Sequence, residues 1–356
     1  MDDRDISIPK GPTRDLKKDV KKIVLKAKMT NDEMKAREGT YFTEKDIDKV
    51  YDEDIDVYVE KDGKEELLAK FRKNVIPKDL IKVGWDAFYE TAAASRSRGA
   101  AAGPIDVKSA YWKKRKPIET KGWTTRYINK GKRTAARVNN NVFSSVLGYF
   151  ESSHMFRKNP CRLTNYTRRF FENYKRGMPF IQELNKCFKA LTPTEYSLQL
   201  ARAKKNPYYR IDDTAFSSIT INRNFRTGLH MDDGDFRGGF GNLSVIERGE
   251  YDGGYTMFPQ YRIAFNVRTG DYLAMNVHEF HCNTEITETS AQKKHNKALP
   301  KLYLNDASTG TLGGDKDYTR ISFVCYLREK LIHCKKSETR KYYKKIKFDE
   351  KTGISR

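Results

Sequence analysis

Two short stretches of this chain carry the residue types that bind a redox metal. Gly228-Leu-His-Met-Asp-Asp233 places His230 and Asp232 two residues apart. On a strand, residues i and i+2 point the same way, so this pair can hold one ion together. Roughly fifty residues on, His278-Glu-Phe-His-Cys-Asn283 offers His278 or His281 as a further ligand. Two imidazoles and one carboxylate on one face of a metal leave positions open, the arrangement used by mononuclear non-haem Fe(II) oxygenases. Later still, Tyr318-Thr-Arg-Ile-Ser-Phe323 sets Arg320 at the head of an apolar, strand-like run. A planar guanidinium there suits a bidentate grip on the carboxylate of a co-substrate such as 2-oxoglutarate. Gly234 and the Gly238-Gly-Phe-Gly241 run follow the His-x-Asp pair at once, as expected where a strand opens into a loop.

These residues must be positioned by a β-rich core. Short alternating runs recur from Ser217: Ser218–Asn222, Asn242–Ile246, Tyr255–Phe258, Arg262–Phe265, Tyr272–Met275 and Ile321–Tyr326. Gly, Asp and Pro punctuate them, which predicts a jelly-roll or cupin-like double sheet, a double-stranded β-helix, in an α+β chain. Helices precede it. Phe156 to Lys204 carries apolar residues at three- and four-residue spacing, with starts expected at Pro179 and at Thr192-Pro-Thr-Glu195. Helices packed on one side of the core, with basic extensions, complete the expected architecture.

The expected organisation has three parts. Residues 1–75 form a charged N-terminal extension, within which Ile55–Glu60 reads as a strand and Asp62-Gly63 as a turn; Glu65–Phe71 fits a strand or a short helix. Residues 76–334 form the main domain, with its β-core at about 215–330, and 335–356 form a basic tail. The small-residue stretch Thr91–Pro104 reads either as a linker or as a close-packed loop.

Charge points to a polyanionic partner. The net charge is +22, and residues 109–137 hold ten Lys or Arg against one acid, Glu119. Lys113, Lys114 and Arg115 are candidate phosphate contacts. Tyr111, Trp112, Trp123 and Tyr127 are interleaved, and rings among cations suit an opened nucleic-acid strand; the alternative is a solvated basic face with rings in the core. No stretch approaches the ~20 apolar residues of a membrane span. The acidic, polar N-terminus lacks an apolar signal region, which favours an intracellular protein. Cys161, Cys187, Cys282, Cys325 and Cys334 are an odd number with no CxxC pair, so neither a disulfide framework nor a zinc site is expected.

From about Gly148 to Glu329 the chain resembles the TET/JBP group of Fe(II)- and 2-oxoglutarate-dependent dioxygenases, above all phage, algal-virus and protist members. The resemblance rests on Gly148-Tyr-Phe150, Pro160-Cys-Arg162, Ile219–Phe225, His230-x-Asp232, Gly253-Gly254, Phe258-Pro259, Gly270-Asp271, His278–Asn283 and Thr319–Ser322. It implies His281 as the second His ligand, after Glu279-Phe280, and makes His278 a neighbour. It implies Fe(II) at His230, Asp232 and His281, and 2-oxoglutarate anchored by Arg320 and Ser322. Cys282 departs from the family, where Gly is common, and is small enough not to disturb the site. The family hydroxylates the C5-methyl group of a pyrimidine in nucleic acid, so the resemblance implies thymine to 5-hydroxymethyluracil, or 5-methylcytosine to 5-hydroxymethylcytosine, in DNA. A buried metal requires the base to be flipped out. Asp235, with Lys113, Lys114, Arg115 and Trp123, is then a candidate substrate contact. The setting implied is a nucleus, a viral or phage-infected cell, or a virion. The competing readings are an oxygenase acting on RNA or protein, and a basic nucleic-acid-binding or virion structural protein on the same fold.

Overall fold

A computed structural model describes all residues except 1–5, 17–18, 91–93, 153–158, 301–316 and 356. The start of the expected helical stretch, at Phe156, lies outside the described residues. In chain order the N-terminal part supplies strands β1 (Lys22–Leu25), β2 (Lys49–Tyr51), β3 (Ile55–Lys61) and β4 (Lys64–Arg72), then helix α1 (Lys78–Phe88). A small basic meander follows, β5 (Pro117–Lys121), β6 (Thr124–Asn129) and β7 (Lys132–Arg133), then β8 (Val142–Phe150). Helices α2 (Met178–Leu191) and α3 (Pro193–Lys204) start with Pro in the first turn, where its missing N–H costs nothing. The β-core is β9 (Ser218–Arg223), β10 (Gly241–Arg248), β11 (Thr256–Phe258), β12 (Ile263–Phe265), β13 (Tyr272–Met275), β14 (Cys282–Asn283) and β15 (Thr319–Tyr326). Helix α4 (Lys336–Lys345) closes the chain.

Two sheets face each other. The major one runs β1-β3-β4-β13-β10-β15-β9-β8 and ends on a short strand at Arg162–Leu163; the minor one runs β14-β11-β12-β2. Period-two alternation divides each central strand between two environments. Ile219, Ile221, Ile246, Ile321 and Phe323 face the helices and pack with Trp85, Phe88, Phe180, Leu184 and Phe188. Leu243, Val245, Leu273 and Met275 face the minor sheet and pack with Phe258, Ile263 and Phe265. Each such fully buried side chain contributes roughly 1.5–3 kcal/mol. The helices therefore cover one face of the major sheet, as expected, and leave the other to form a cavity with the minor sheet.

The structure departs from the sequence reading in two places and decides one reading left open. Residues 22–72 do not stand apart as an extension: β4 pairs with β13, with Phe71 opposite Leu273, and β3 and β1 extend the same sheet. Their alternation is visible in the sequence, but a partner some two hundred residues away is not. Glu65–Phe71 is a strand, because Asp62 and Gly63, both at positive φ, make the tight turn that returns it to β3. Finally, Cys161 and Cys334 are joined in a disulfide, contrary to the expectation of none. Their sequence separation of 173 hides the pairing, and the Cα atoms are 5.9 Å apart. Cys187, Cys282 and Cys325 are free and buried.

Phe323 tests this layering. It is buried between Phe180 and Phe88, with ring centroids at 5.0 and 5.7 Å, while its neighbours Ser322 and Val324 point the other way, into the cavity. Phe323→Ala is expected to cost about 3–5 kcal/mol in urea unfolding while removing no cavity group; a loss below about 1 kcal/mol would contradict this packing.

Candidate metal centre and its cavity

His230 and His281 lie directly opposite each other and exchange both backbone hydrogen bonds, at 3.0 and 2.9 Å. Their rings stand 4.3 Å apart. In each ring Nδ1 lies 2.9 Å from a carbonyl two residues earlier, Gly228 O for His230 and Glu279 O for His281. A carbonyl only accepts, so Nδ1 carries the proton and Nε2 presents its lone pair. Both Nε2 atoms sit 3.8 Å from the carboxylate of Asp232, one to each oxygen. Burial pushes His230 down to about 4, with the neighbouring His281 adding to it, so the imidazole stays neutral and ready to ligate. Burial alone would raise Asp232, but the two imidazoles, Arg98 and Arg328 hold its carboxylate below the usual range. Three ligand atoms within 4.8 Å of one another, one of them anionic, can hold a divalent cation. His278 is not among them; its Nε2 lies near Phe236 O, on the wall of a neighbouring hollow.

The backbone behind His230 is closely packed at Gly228. A Cβ there would lie 3.0 Å from both Ala100 O and Gly103 Cα. Residues 99–103 of the small-residue stretch thus form a close-packed loop against the segment that carries His230, with Ala100, Ala101 and Ala102 buried and Gly228 N bonded to Ala101 O. Asn140 Nδ2 reaches the carbonyls of Ala102, Gly103 and Pro104 and pins this loop.

The three ligands open into a cavity of about 310 Å³. Alternate residues of β15, namely Arg320, Ser322, Val324 and Tyr326, form one wall, with Thr220 and Asn222 from β9 beside them. Arg320 is 4% exposed, and its Nε and Nη2 have no hydrogen-bond partner among the described residues. A buried guanidinium with idle donors is costly unless an anion completes it, and a carboxylate matches it. Asn224 fixes this residue from behind. Its backbone N–H donates to Arg320 O at 2.9 Å, and its side-chain oxygen accepts from Arg320 N at 2.7 Å. Asn224 adopts φ +46°, a left-handed conformation that Asn tolerates better than most residues.

Further along, Asp235 is buried on the cavity wall, 3.3 Å from Arg328 Nη1. Burial and the nearby Asp232 charge push its carboxyl well up. Arg328 is shared with Glu151, at 3.0 Å through Nε. Arg98 reaches the same space, with Nη2 at 3.2 Å from Thr220 Oγ1 and Nε unpartnered. Neither Arg98 nor Arg328 was singled out from the sequence. Arg328 continues the two-residue rhythm of Arg320, Ser322, Val324 and Tyr326, a signal that was available. Arg98 carried no such signal.

The other expected contacts are not brought to the cavity wall. Lys113 and Lys114 are exposed at the end of the short helix Ala110–Arg115, and Arg115 lies 3.7 Å over the Tyr111 ring. The rings of this segment serve packing: Trp112 is buried, with Nε1 bonded to Asn140 Oδ1 at 2.8 Å. Trp123 lies against Gly39, where a Cβ would be 2.2 Å from its ring. Gly39 N in turn bonds to Leu229 O, beside His230, so the basic meander is docked near the segment that carries His230. This ligand geometry predicts one Mn(II) or Co(II) bound per chain in anaerobic titration, and weakening by at least tenfold in Asp232→Ala; unchanged stoichiometry and affinity would remove Asp232 from the set.

Comparison with known proteins supplies the lineage. The Tet_JBP model, described as the oxygenase domain of the 2OGFeDO superfamily, matches residues 145–329. The bifunctional helicase and thymine dioxygenase JBP2 of Leishmania infantum is 32% identical over 189 residues, 53% of this chain and 15% of that protein. The thymine dioxygenase JBP1 of Trypanosoma brucei brucei is 32% identical over 164 residues, 46% of this chain and 19% of that protein. The matched part is thus less than a fifth of the length of either relative. The solved structure of NgTET1 in complex with 5mC DNA aligns with 88% of this chain and 96% of that one, at 13% identity and a TM-score of 0.44. With its matched segment spanning the β-core, all three candidate metal ligands and Arg320, this chain belongs to the Tet_JBP family of the 2OGFeDO superfamily.

Proposed function

We propose that this chain is an Fe(II)- and 2-oxoglutarate-dependent dioxygenase that hydroxylates the C5-methyl group of a pyrimidine in DNA. The observation that carries it is one cavity holding a His-Asp-His set at one point and a buried guanidinium with idle donors at another. His230, Asp232 and His281 would hold Fe(II), and Arg320 with Ser322 would hold the far carboxylate of 2-oxoglutarate. Together, when bound, the two supply oxidative decarboxylation to succinate coupled to insertion of oxygen into a C–H bond.

The protein's own part is positional. The Nδ1 hydrogen bonds fix both imidazole tautomers, and Asn224 holds Arg320 in place. Asp235 and Arg328 place an acceptor and a donor on one wall, and a pyrimidine edge carries O4 in thymine or an amino group in 5-methylcytosine. The base must leave the stack to reach them. Relatives named as thymine dioxygenases support thymine first and 5-methylcytosine second. Exposed Lys113 and Lys114, on a segment docked beside the residues that precede His230, suit the DNA backbone. A DNA substrate supports an intracellular setting, whether nuclear or in a viral or phage-infected cell. We also take the functional unit to include residues 22–72, since their strands complete the major sheet.

Nucleoside mass spectrometry tests the reading. Enzyme with Fe(II), 2-oxoglutarate and air is expected to add one oxygen to thymidine or 5-methyldeoxycytidine in DNA, and His230→Ala to add none. Succinate formed without any oxidised nucleoside would reject the substrate. Arg320→Ala and Asn224→Ala should each raise the KM for 2-oxoglutarate, by about a hundredfold and about tenfold on the hydrogen bonds removed. An unchanged KM in Asn224→Ala would show that Arg320 holds its place without the clamp.

A further inference from the structure

Helix α4 carries a second strongly basic surface. Its inner face, Thr339 and Tyr343, is buried, and the Tyr343 hydroxyl accepts from Leu163 N at 2.7 Å. Its outer face carries Arg340, Lys341, Lys344 and Lys345, all exposed. Positions i, i+1, i+4 and i+5 form one stripe along a helix. Some surface lysines, such as Lys22 and Lys28, have carboxylate partners. Among the described residues Lys341, Lys344 and Lys345 have none, and Arg340 has only Glu350, at 3.8 Å. The last turn borders a shallow hollow beside Pro160 and Tyr342. Such a stripe is often no more than a solvated face, and its placement is what argues otherwise.

The helix packs at the edge of the major sheet, with Tyr343 in the core cluster of the helix-covered face, and two short links run from it to the cavity wall. Leu163 pairs with Tyr149, and the adjacent Phe150 lines the cavity. Arg328, also on the wall, leads into α4 through one short turn, Glu329–His333, and the Cys161–Cys334 bond ties the helix start to the same edge of the sheet. The 109–137 segment is docked elsewhere, through Trp123 against Gly39, whose N–H bonds to Leu229 O beside His230. A duplex delivering a base into this cavity has backbone on either side of the flipped nucleotide.

We propose that the outer face of α4 binds the phosphate backbone of DNA, as a second contact surface separate from the 109–137 segment. This rests on DNA being the partner, but not on which base, if any, is oxidised. The test is fluorescence anisotropy with a labelled duplex of ~30 base pairs and the full chain. The variant combines Arg340→Gln, Lys341→Gln, Lys344→Gln and Lys345→Gln. It should bind roughly tenfold or more weakly at moderate salt, and the slope of log K against log salt should fall by about three. Glu338→Lys, which adds a cation to the same helix, should tighten binding and steepen the slope; it decides the matter should the fourfold variant fail to fold. Wild-type affinity and slope in both variants would overturn the proposal. Nucleoside mass spectrometry on the same samples separates the two readings. Loss of the α4 effect with base oxidation intact rejects this inference alone. An α4 effect with no oxidised base rejects the substrate assignment and leaves this surface standing.

Discussion

The backbone pairing of His230 with His281 is the constraint on which the site depends. Two ligands far apart in sequence become neighbours because two main-chain hydrogen bonds hold them opposite each other. The Gly228–His230 segment that makes those bonds is itself held by the 99–103 loop on one side and by Thr40 on the other, with Leu229 N donating to Thr40 O. The N-terminal part of the chain therefore supports the candidate metal centre directly. Met34 and Phe42 share a buried cluster with Leu229, Phe280 and Cys282, the residues that flank the two imidazoles.

Much of this was legible in the sequence, and the reasons differ by element. The central strands of the major sheet show themselves because each has one face on the helices and one toward the minor sheet or the cavity, which imposes a period of two. The metal set was readable as residue types at strand spacing, and Arg320 as a cation in an apolar run. The choice between His278 and His281 was not readable from the residues. It depends on which imidazole the 276–281 turn aims at Asp232, and only the family likeness pointed to His281.

What stayed hidden depends on partners distant in the chain. The Cys161–Cys334 bond, the pairing of β4 with β13 and the docking of Trp123 on Gly39 each join segments with no mutual pattern. The basic aromatic segment left two readings open for a related reason. Its composition suits stacking on bases, yet Trp112 gives its ring to the core and its N–H to Asn140, leaving the cations as the exposed part. Composition reports which groups are present, not which way they point.

Strand β15 also acts as a ruler. Arg320, Ser322, Val324 and Tyr326 mark it at every second residue, each step being about 6.6–6.8 Å. The spacing between the proposed co-substrate anchor and the proposed base-facing end is therefore a property of the main chain, whichever side chains occupy the marks. A slip of one residue would exchange the whole polar set for Ile321, Phe323 and Cys325, which the helix-facing core holds in place. A slip of two would keep the faces but carry the guanidinium about 7 Å from its mark. The bonds from Asn224 to both the N–H and the carbonyl of Arg320 oppose that second error, so one asparagine sets the zero of the scale.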